Sequence, residues 1–297
     1  MDRPIVIPMV LLCAFLAACS GGATPEASST TPEATNTPSA TATPLSTDST
    51  TLDAVVWFGG FKLTLETAEV VVDDGLPRVD IQTLFANEGS NNARLNATLN
   101  LSSGGRHYQP SLSDQELPEV PGKTEGRGAL SFTIDEMFSL DDAVLTIGNP
   151  DNNQAIVPFG LDGALVDLAP VPVRVSGQAT GGELRIRARA GELRADIPER
   201  HDQVETEHLA LTLDFDITYI GDHGGGYAFS TDNLALTMPD GTTVAVDGGP
   251  NELLRAGTTL PDQQVRFIVR APVAGTYRLV VIDNTIDERG RLRFEIP

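Results

Sequence analysis

The sequence predicts an all-β protein, two tandem β-sandwiches carried behind a leader and a spacer. Three observations lead there. Apolar residues recur at every second position in run after run. The clearest is Leu209, Leu211, Leu213, Phe215, Ile217 and Tyr219, with Thr212, Asp214, Asp216 and Thr218 between them. Such alternation marks a strand with one face in a core and the other in water. Turn residues separate the runs, as at Asp74-Gly75, Ser103-Gly104-Gly105 and Pro239-Asp240-Gly241. The runs also recur in the same order twice, at a spacing of roughly 120 to 135 residues, the size of a whole domain.

Taken in order, the chain opens with Arg3 and a mostly apolar run from Ile5 to Ala18. The run has the length of a signal-peptide core and falls short of the roughly 20 residues a membrane span needs. It ends in Leu16-Ala17-Ala18-Cys19, followed by the small residues Ser20, Gly21 and Gly22. This resembles the lipobox of bacterial lipoproteins. The resemblance implies a signal peptide over residues 1–18, cleavage just before Cys19 and a diacylglycerol on the Cys19 thiol. It further implies an extracytoplasmic protein held at a membrane through its N-terminal lipid. Ordinary secretory cleavage at Ala17-Ala18 is the competing reading, and Asp2 offsets part of the positive charge the leader carries. The only other cysteine, Cys13, lies inside the apolar run. The mature chain then has no thiol left for a disulfide, and its domains must hold by core packing.

Residues 19–51 are the lipidated N-terminus and a Thr/Pro/Ser-rich linker, as in TPEASSTTPEATNTPSATATP. No apolar periodicity exists there, so the segment is expected to be disordered. About 32 residues reach at most ~100 Å when fully extended at ~3.1 Å each, which lifts the payload off a lipid surface. The hydroxyl density also fits a glycosylated stalk.

The first sandwich is expected over residues 52–163 and the second over 172–297, joined by 164–171. Val55 through Leu63 has its counterpart in Val175 through Ile186. The long strand Arg78 to Asn87 matches His208 to Gly221, and Leu130-Ser131-Phe132 matches Val265-Arg266-Phe267. The last shared strand is Val144 to Ile147 in one copy and Tyr277 to Ile282 in the other. Seven or so strands with turns every 8–12 residues fit a sandwich. No convincing helical spacing occurs, although Asp135 to Asp142 has room for one short turn. The stretch Asp167 to Pro172, which leads into the second sandwich, carries two prolines, Pro170 and Pro172, and the joint is expected to be stiff. In the His208–Gly221 strand, Leu211, Leu213, Phe215 and Ile217 should face the core, and Asp214 and Asp216 solvent.

The opening strand Gly59-Gly60-Phe61-Lys62-Leu63-Thr64-Leu65, the long strand ending Asn87-Glu88-Gly89, the Pro239-Asp240-Gly241-Thr242 turn and Ala274 to Leu279 together resemble a family of immunoglobulin-like domains from bacterial surface and secreted lipoproteins. The resemblance covers most of both domains. It implies the immunoglobulin-like fold and a surface location, and it brings no catalytic residues with it.

The formal net charge is -21 and the pI about 4.4. Nucleic acid is thereby excluded as a partner, since its backbone would be repelled, and so is lying flat on an anionic membrane. The chain has only two lysines, Lys62 and Lys123. Trp57, the single tryptophan, reads either as an exposed aromatic for a glycan or partner, or as a core plug where the first strand enters the sandwich; the plug is expected. His107, His201, His208 and His223 are scattered, with no zinc-ligand spacing. His201 and His208 share an acidic stretch with Asp202, Glu205 and Glu207, read as a solvated loop ahead of a weak metal site.

Acidic clusters at Asp73-Asp74, Asp141-Asp142, Asp151-Asn152-Asn153 and Asp283 through Glu288 could collect calcium, but none carries the EF-hand pattern, and turn chemistry explains them. Gly224-Gly225-Gly226 lacks the lysine of a phosphate loop and reads as a hairpin tip. Ser230 and Asp232 form no nucleophile motif. Arg185, Arg187 and Arg189, with Arg194 soon after, make a local positive stripe. It could dock an anionic glycan or partner; cross-strand pairing with Asp214 and Asp216 is the favoured alternative.

With no catalytic motif and no cofactor expected, the chain reads as a non-catalytic cell-envelope lipoprotein whose sandwiches meet an envelope protein or glycan. The alternative is an extracytoplasmic ligand- or calcium-binding accessory protein of a transporter or envelope assembly. A hydrolase has the missing motifs against it.

Overall fold

The computed structural model describes residues 48–297 apart from 74–75, 112–115, 162 and 272–273. The leader, Cys19 and nearly all of the spacer lie outside the described residues. The first half contains β1 (Ser49–Phe58), β2 (Phe61–Asp73), β3 (Leu76–Asn87), β4 (Leu99–Ser103), β5 (Arg106–Tyr108), β6 (Glu125–Thr133), β7 (Val144–Ile147) and β8 (Ala155–Pro158). The second contains β9 (Val171–Val173), β10 (Gly177–Gly181), β11 (Leu184–Arg194), β12 (Asp196–Ile197), β13 (Asp202–Gln203), β14 (His208–Tyr219), β15 (Tyr227–Phe229) and β16 (Leu234–Thr237). It continues through β17 (Thr243–Ala245), β18 (Glu252–Leu254), β19 (Thr259–Arg270), β20 (Gly275–Asp283) and β21 (Glu288–Ile296). Every pairing among them is antiparallel, and the described residues hold no α-helix, only single 3₁₀ turns at Leu140–Asp142 and Thr231–Asn233.

The first half forms two sheets, ordered β1-β2-β3-β6 and β5-β4-β7-β8. The second repeats the plan with β10-β11-β14-β19, to which β9 adds at β11, and β17-β16-β20-β21. Each half has one core drawn from both of its sheets: Phe61, Ile81 and Phe132 meet Leu101, Leu145 and Val157 in the first. Phe215, Ile217 and Phe267 join Leu236, Tyr277 and Leu279 in the second. The described residues of both halves fall in one compact unit.

The alternation sets the faces as expected along β14. Leu211, Leu213, Phe215 and Ile217 are fully buried, Asp214 and Asp216 lie on the other face, and β14 is central between β11 and β19. The β1–β2 hairpin turns on Gly59 (φ 55°) and Gly60 (φ 79°). Two successive left-handed residues give a two-residue turn whose twist matches the strands, which glycine adopts without a Cβ penalty.

Three expectations are corrected. Ser49 to Thr51, read as spacer, pair with Thr67 to Glu69 and belong to β1. Val171, placed in the joint, begins β9, and the rest of the joint, expected to be stiff, is tied down where Val166 bridges to Ile156 and Trp57 N–H donates to the Asp167 carbonyl at 2.8 Å. Trp57 is no core plug. Val56 and Phe58 hold the inward positions of β1, and the period of two leaves Trp57 half-buried on the outer face. Several short strands also escaped the sequence reading, among them β5, β8, β15 and β18, too short for alternation to stand out.

Candidate functional site

The second half departs from the first at one place that matters. β2 ends at Asp73 and β3 begins at Leu76, whereas β11 and β14 are separated by residues 195–207. This extra segment folds into the small β12–β13 hairpin. Its Ile197 and Val204 pack on Ala210 and Ile268, an apolar patch on the outer face of β14 and β19. Its other side wedges into the first half. Asp196 Oδ2 accepts from the Gly60 N–H at 2.8 Å, and Gln203 Oε1 accepts from the Gly59 N–H at 2.9 Å. The hairpin that turns β1 into β2 is thus capped by side chains from the other half.

Arg194, at the end of β11, is the centre of the junction. Its Nε donates to Asp196 Oδ1 at 2.7 Å and its Nη2 to Glu88 Oε2 at 2.5 Å. The Arg194 and Asp196 side chains are 9% and 3% exposed, which makes this a buried pair. Burial alone would lower the Arg194 pKa, but Asp196 and Glu88 outweigh it and raise the value, so the guanidinium stays charged. The other oxygen of Glu88 accepts from Trp57 Nε1 at 3.3 Å, and Lys62 Nζ lies 5.7 Å from the Trp57 ring centre. Trp57 therefore belongs to the rim of the junction.

His201 completes the wedge. Its Nε2 lies 2.9 Å from Asn87 Oδ1, and its ring sits 5.6 Å from that of Phe61. Asn87 spends its NH₂ on the Asn91 and Val120 carbonyls, so its oxygen is the acceptor and His201 Nε2 carries the proton. A Cβ on Gly89 would stand 2.5 Å from the Pro198 oxygen and 2.6 Å from the His201 ring, so only glycine lets the wedge this close. On the far side Asn153 Nδ2 donates to the Val204, Glu205 and His208 carbonyls, and Asn152 Nδ2 to Gln203.

The wedge leaves an open cleft beside it, about 750 Å³, between the outer faces of the two corresponding sheets. Its lining takes Glu88, Lys123 and Glu125 from the first half and Glu192, Thr212 and Arg266 from the second. A second hollow of about 570 Å³ runs along the other flank of the wedge, past Phe58, Asn96, His201 and Gln203. The cleft offers cationic donors and carboxylate acceptors within one concavity, a set suited to holding a polar ligand by charge-assisted hydrogen bonds.

The remaining sequence candidates fall elsewhere. Arg194 leaves the proposed stripe altogether, because it is buried in the junction. The bulge between Ala188 and Ala190 shifts the register of β11. Of the stripe proper, Arg189 pairs with Asp216 at 3.5 Å and Asp262 at 2.5 Å, while Arg185 and Arg187 stand exposed. His201 is neither in a solvated loop nor near a metal cluster. Among the described residues no group of three or more His, Cys, Asp or Glu is placed to hold a metal ion. Two of the acidic turns use their oxygens internally. Asp142 accepts from Ser103 Oγ at 2.6 Å and from Gly104 N–H, and Asp283, fully buried, accepts from Thr285 Oγ1 at 2.6 Å and from Glu183 N–H. His107 and His208 bond Asn100 and the Thr206 carbonyl, Gly224-Gly225 form an exposed turn, and Ser230 caps the turn at Thr231–Asn233. Asp74 lies outside the described residues. Asp196 and Gln203, which build the junction, carried no motif, and Asn87 and Glu88 were read only as the end of a long strand; the one hint of a junction was the extra length between two strands of the second copy.

No family model and no curated protein matches the chain. Among solved structures, the crystal structure of a conserved domain protein from Bacillus anthracis matches over 84% of this chain and 90% of that one, at 11% identity and a TM-score of 0.23. A likeness so distant carries no argument about this chain.

Proposed function

We propose that the chain is a non-catalytic cell-envelope lipoprotein, anchored through Cys19, that holds two immunoglobulin-like β-sandwich domains as one rigid pair and binds a protein or glycan partner in the cleft between them. The strand order supports the fold. Setting β1 aside, β2-β3-β6 and β5-β4-β7-β8 follow the A-B-E and C′-C-F-G order of an immunoglobulin sandwich, and β11-β14-β19 with β17-β16-β20-β21 do so again. The anchor rests on the lipobox resemblance at Leu16 to Cys19.

The observation that carries the binding reading is the clamped junction beside an open, polar cleft. A concavity whose walls come from two domains is a usual place for a ligand, and a rigid joint keeps such walls preorganised. The calcium-binding alternative has no such support, since the oxygens of Asp142 and Asp283 are already taken by internal donors.

Two measurements test this reading. Cys19→Ala should move the protein from the membrane fraction to the soluble fraction; a variant that stays with the membrane refutes the anchor. A screen of envelope glycans and proteins against the detergent-solubilised full chain should find a ligand whose binding is lost on reversing charge at the exposed rim, Lys123→Glu with Glu125→Arg. Binding indifferent to both changes would remove the cleft from the function.

A further inference from the structure

The outer face of the second half's other sheet, β20 and β21, is basic in a strongly acidic protein. Arg291 and Arg293 on β21 and Arg278 on β20 are exposed and project from the same face. Arg278 stands directly opposite Arg293 in the register, and Arg291 opposite Val280. Like charges placed opposite one another across a ladder destabilise it. No ion pair reaches any of the three among the described residues, whereas several exposed arginines elsewhere are paired, as Arg106 with Asp135, Arg127 with Glu66 and Arg270 with Glu207; Arg185 and Arg187 also stand exposed, but on the other sheet. A chain with net charge -21 has acid to spare, yet the outward positions 289, 291, 293 and 295 of β21 hold three arginines and one carboxylate, Glu295, which stands opposite Thr276. Folding gains nothing from the arrangement.

We propose that this face binds a linear anionic polysaccharide, through Arg278, Arg291 and Arg293. Guanidinium forks match carboxylate and sulfate groups bidentately. Alternate residues along β21 repeat at ~7 Å and the neighbouring strand lies ~5 Å away, which gives a short grid of cationic forks on a flat surface. Val280, half-buried opposite Arg291, and Ile282, half-buried next along β20 and opposite Arg289, present an apolar floor for the C–H face of a sugar. Two other polyanions fit less well. A membrane plane would bring the whole acidic body against anionic headgroups, whereas a single thread meets only this patch, and screening at ~8 Å hides the rest. Single-stranded nucleic acid needs aromatic stacking surfaces, and the aromatics of these two strands, Tyr277 and Phe294, point into the core. The site is separate from the cleft and does not depend on what the cleft holds.

The test is equilibrium binding of the detergent-solubilised full chain to polygalacturonate, with neutral dextran as control. Arg278→Ser, Arg291→Ser and Arg293→Ser together should weaken binding by roughly tenfold or more. The same loss of charge in the first half, Arg94→Ser, Arg106→Ser and Arg127→Ser, should leave it within about twofold. Circular dichroism checks that both variants keep the wild-type fold. The proposal is overturned by absence of binding, by equal binding to dextran, or by equal loss in the two triple variants. It is also overturned if phosphatidylglycerol vesicles or a single-stranded oligonucleotide take the face in preference, at the cost of the same three arginines.

Discussion

Arg194→Met is the sharpest test of how the two halves are joined. The substitution keeps an unbranched apolar stem and removes the guanidinium. It leaves the Asp196 carboxylate, 3% exposed, with the Gly60 N–H at 2.8 Å but no charge partner. Glu88 and Glu192, with side chains 30% and 45% exposed, can turn to water, so the loss falls mainly on Asp196. Removing one partner of a buried ion pair costs ~3–5 kcal/mol, a large share of the ~5–15 kcal/mol that usually holds a folded protein. Adding Asp196→Asn removes the stranded charge and keeps an oxygen for Gly60. The double variant should therefore be more stable than the single one by ~1–2 kcal/mol, a coupling typical of groups in direct contact. Denaturant unfolding measures both. The one tryptophan, Trp57, is tied to Glu88 and so to this junction, and its emission should shift to the red when the wedge lets go. A cost below ~1 kcal/mol for Arg194→Met, or a double variant weaker than the single, would show that the pair does not hold the junction.

Two further predictions concern the second half. Phe215→Ala removes a fully buried ring from the central strand and should cost ~3–5 kcal/mol. Asp216→Ala loses a 3.5 Å ion pair with Arg189 and a 3.2 Å bond from the Asp262 N–H on the outer face, and should cost no more than ~1 kcal/mol. The reverse order in urea unfolding would put β14 in the wrong register. For Asp283, burial alone would raise the carboxyl, but donors from Thr285, Glu183 and Tyr227 outweigh it and hold the group below the usual carboxylate range. Its folded value lies below the ~3.9 of an unfolded chain. Its contribution is therefore complete above that pH and is lost as pH falls through the folded value. The stability gap between wild type and Asp283→Asn, steady near neutrality, should close below about pH 4; a gap that persists at the acid end contradicts the assignment.

The sequence alone determined which segments are strands and which side chains face a core. That information is local: a period of two along β14 puts Leu213, Phe215 and Ile217 on one side whatever else the chain does. The same rule, applied to Val56 and Phe58, would have moved Trp57 out of the core. The junction was not legible in this way. The bulge between Ala188 and Ala190 brings Arg194 onto the same outer face as Arg185 and Arg187, opposite Ala210, and nothing in the sequence says that the wedge covers this end of the face. A charged residue also looks the same in sequence whether its strand face meets water or another domain. Only the tertiary structure decided that 195–207, which reads as a polar acidic loop, lies against Gly60 and Asn87 and buries Arg194 with Asp196. The physical reason is range. Alternation and turns act between neighbours, whereas Glu88 and Arg194 stand 106 residues apart and meet only because two finished sheets dock.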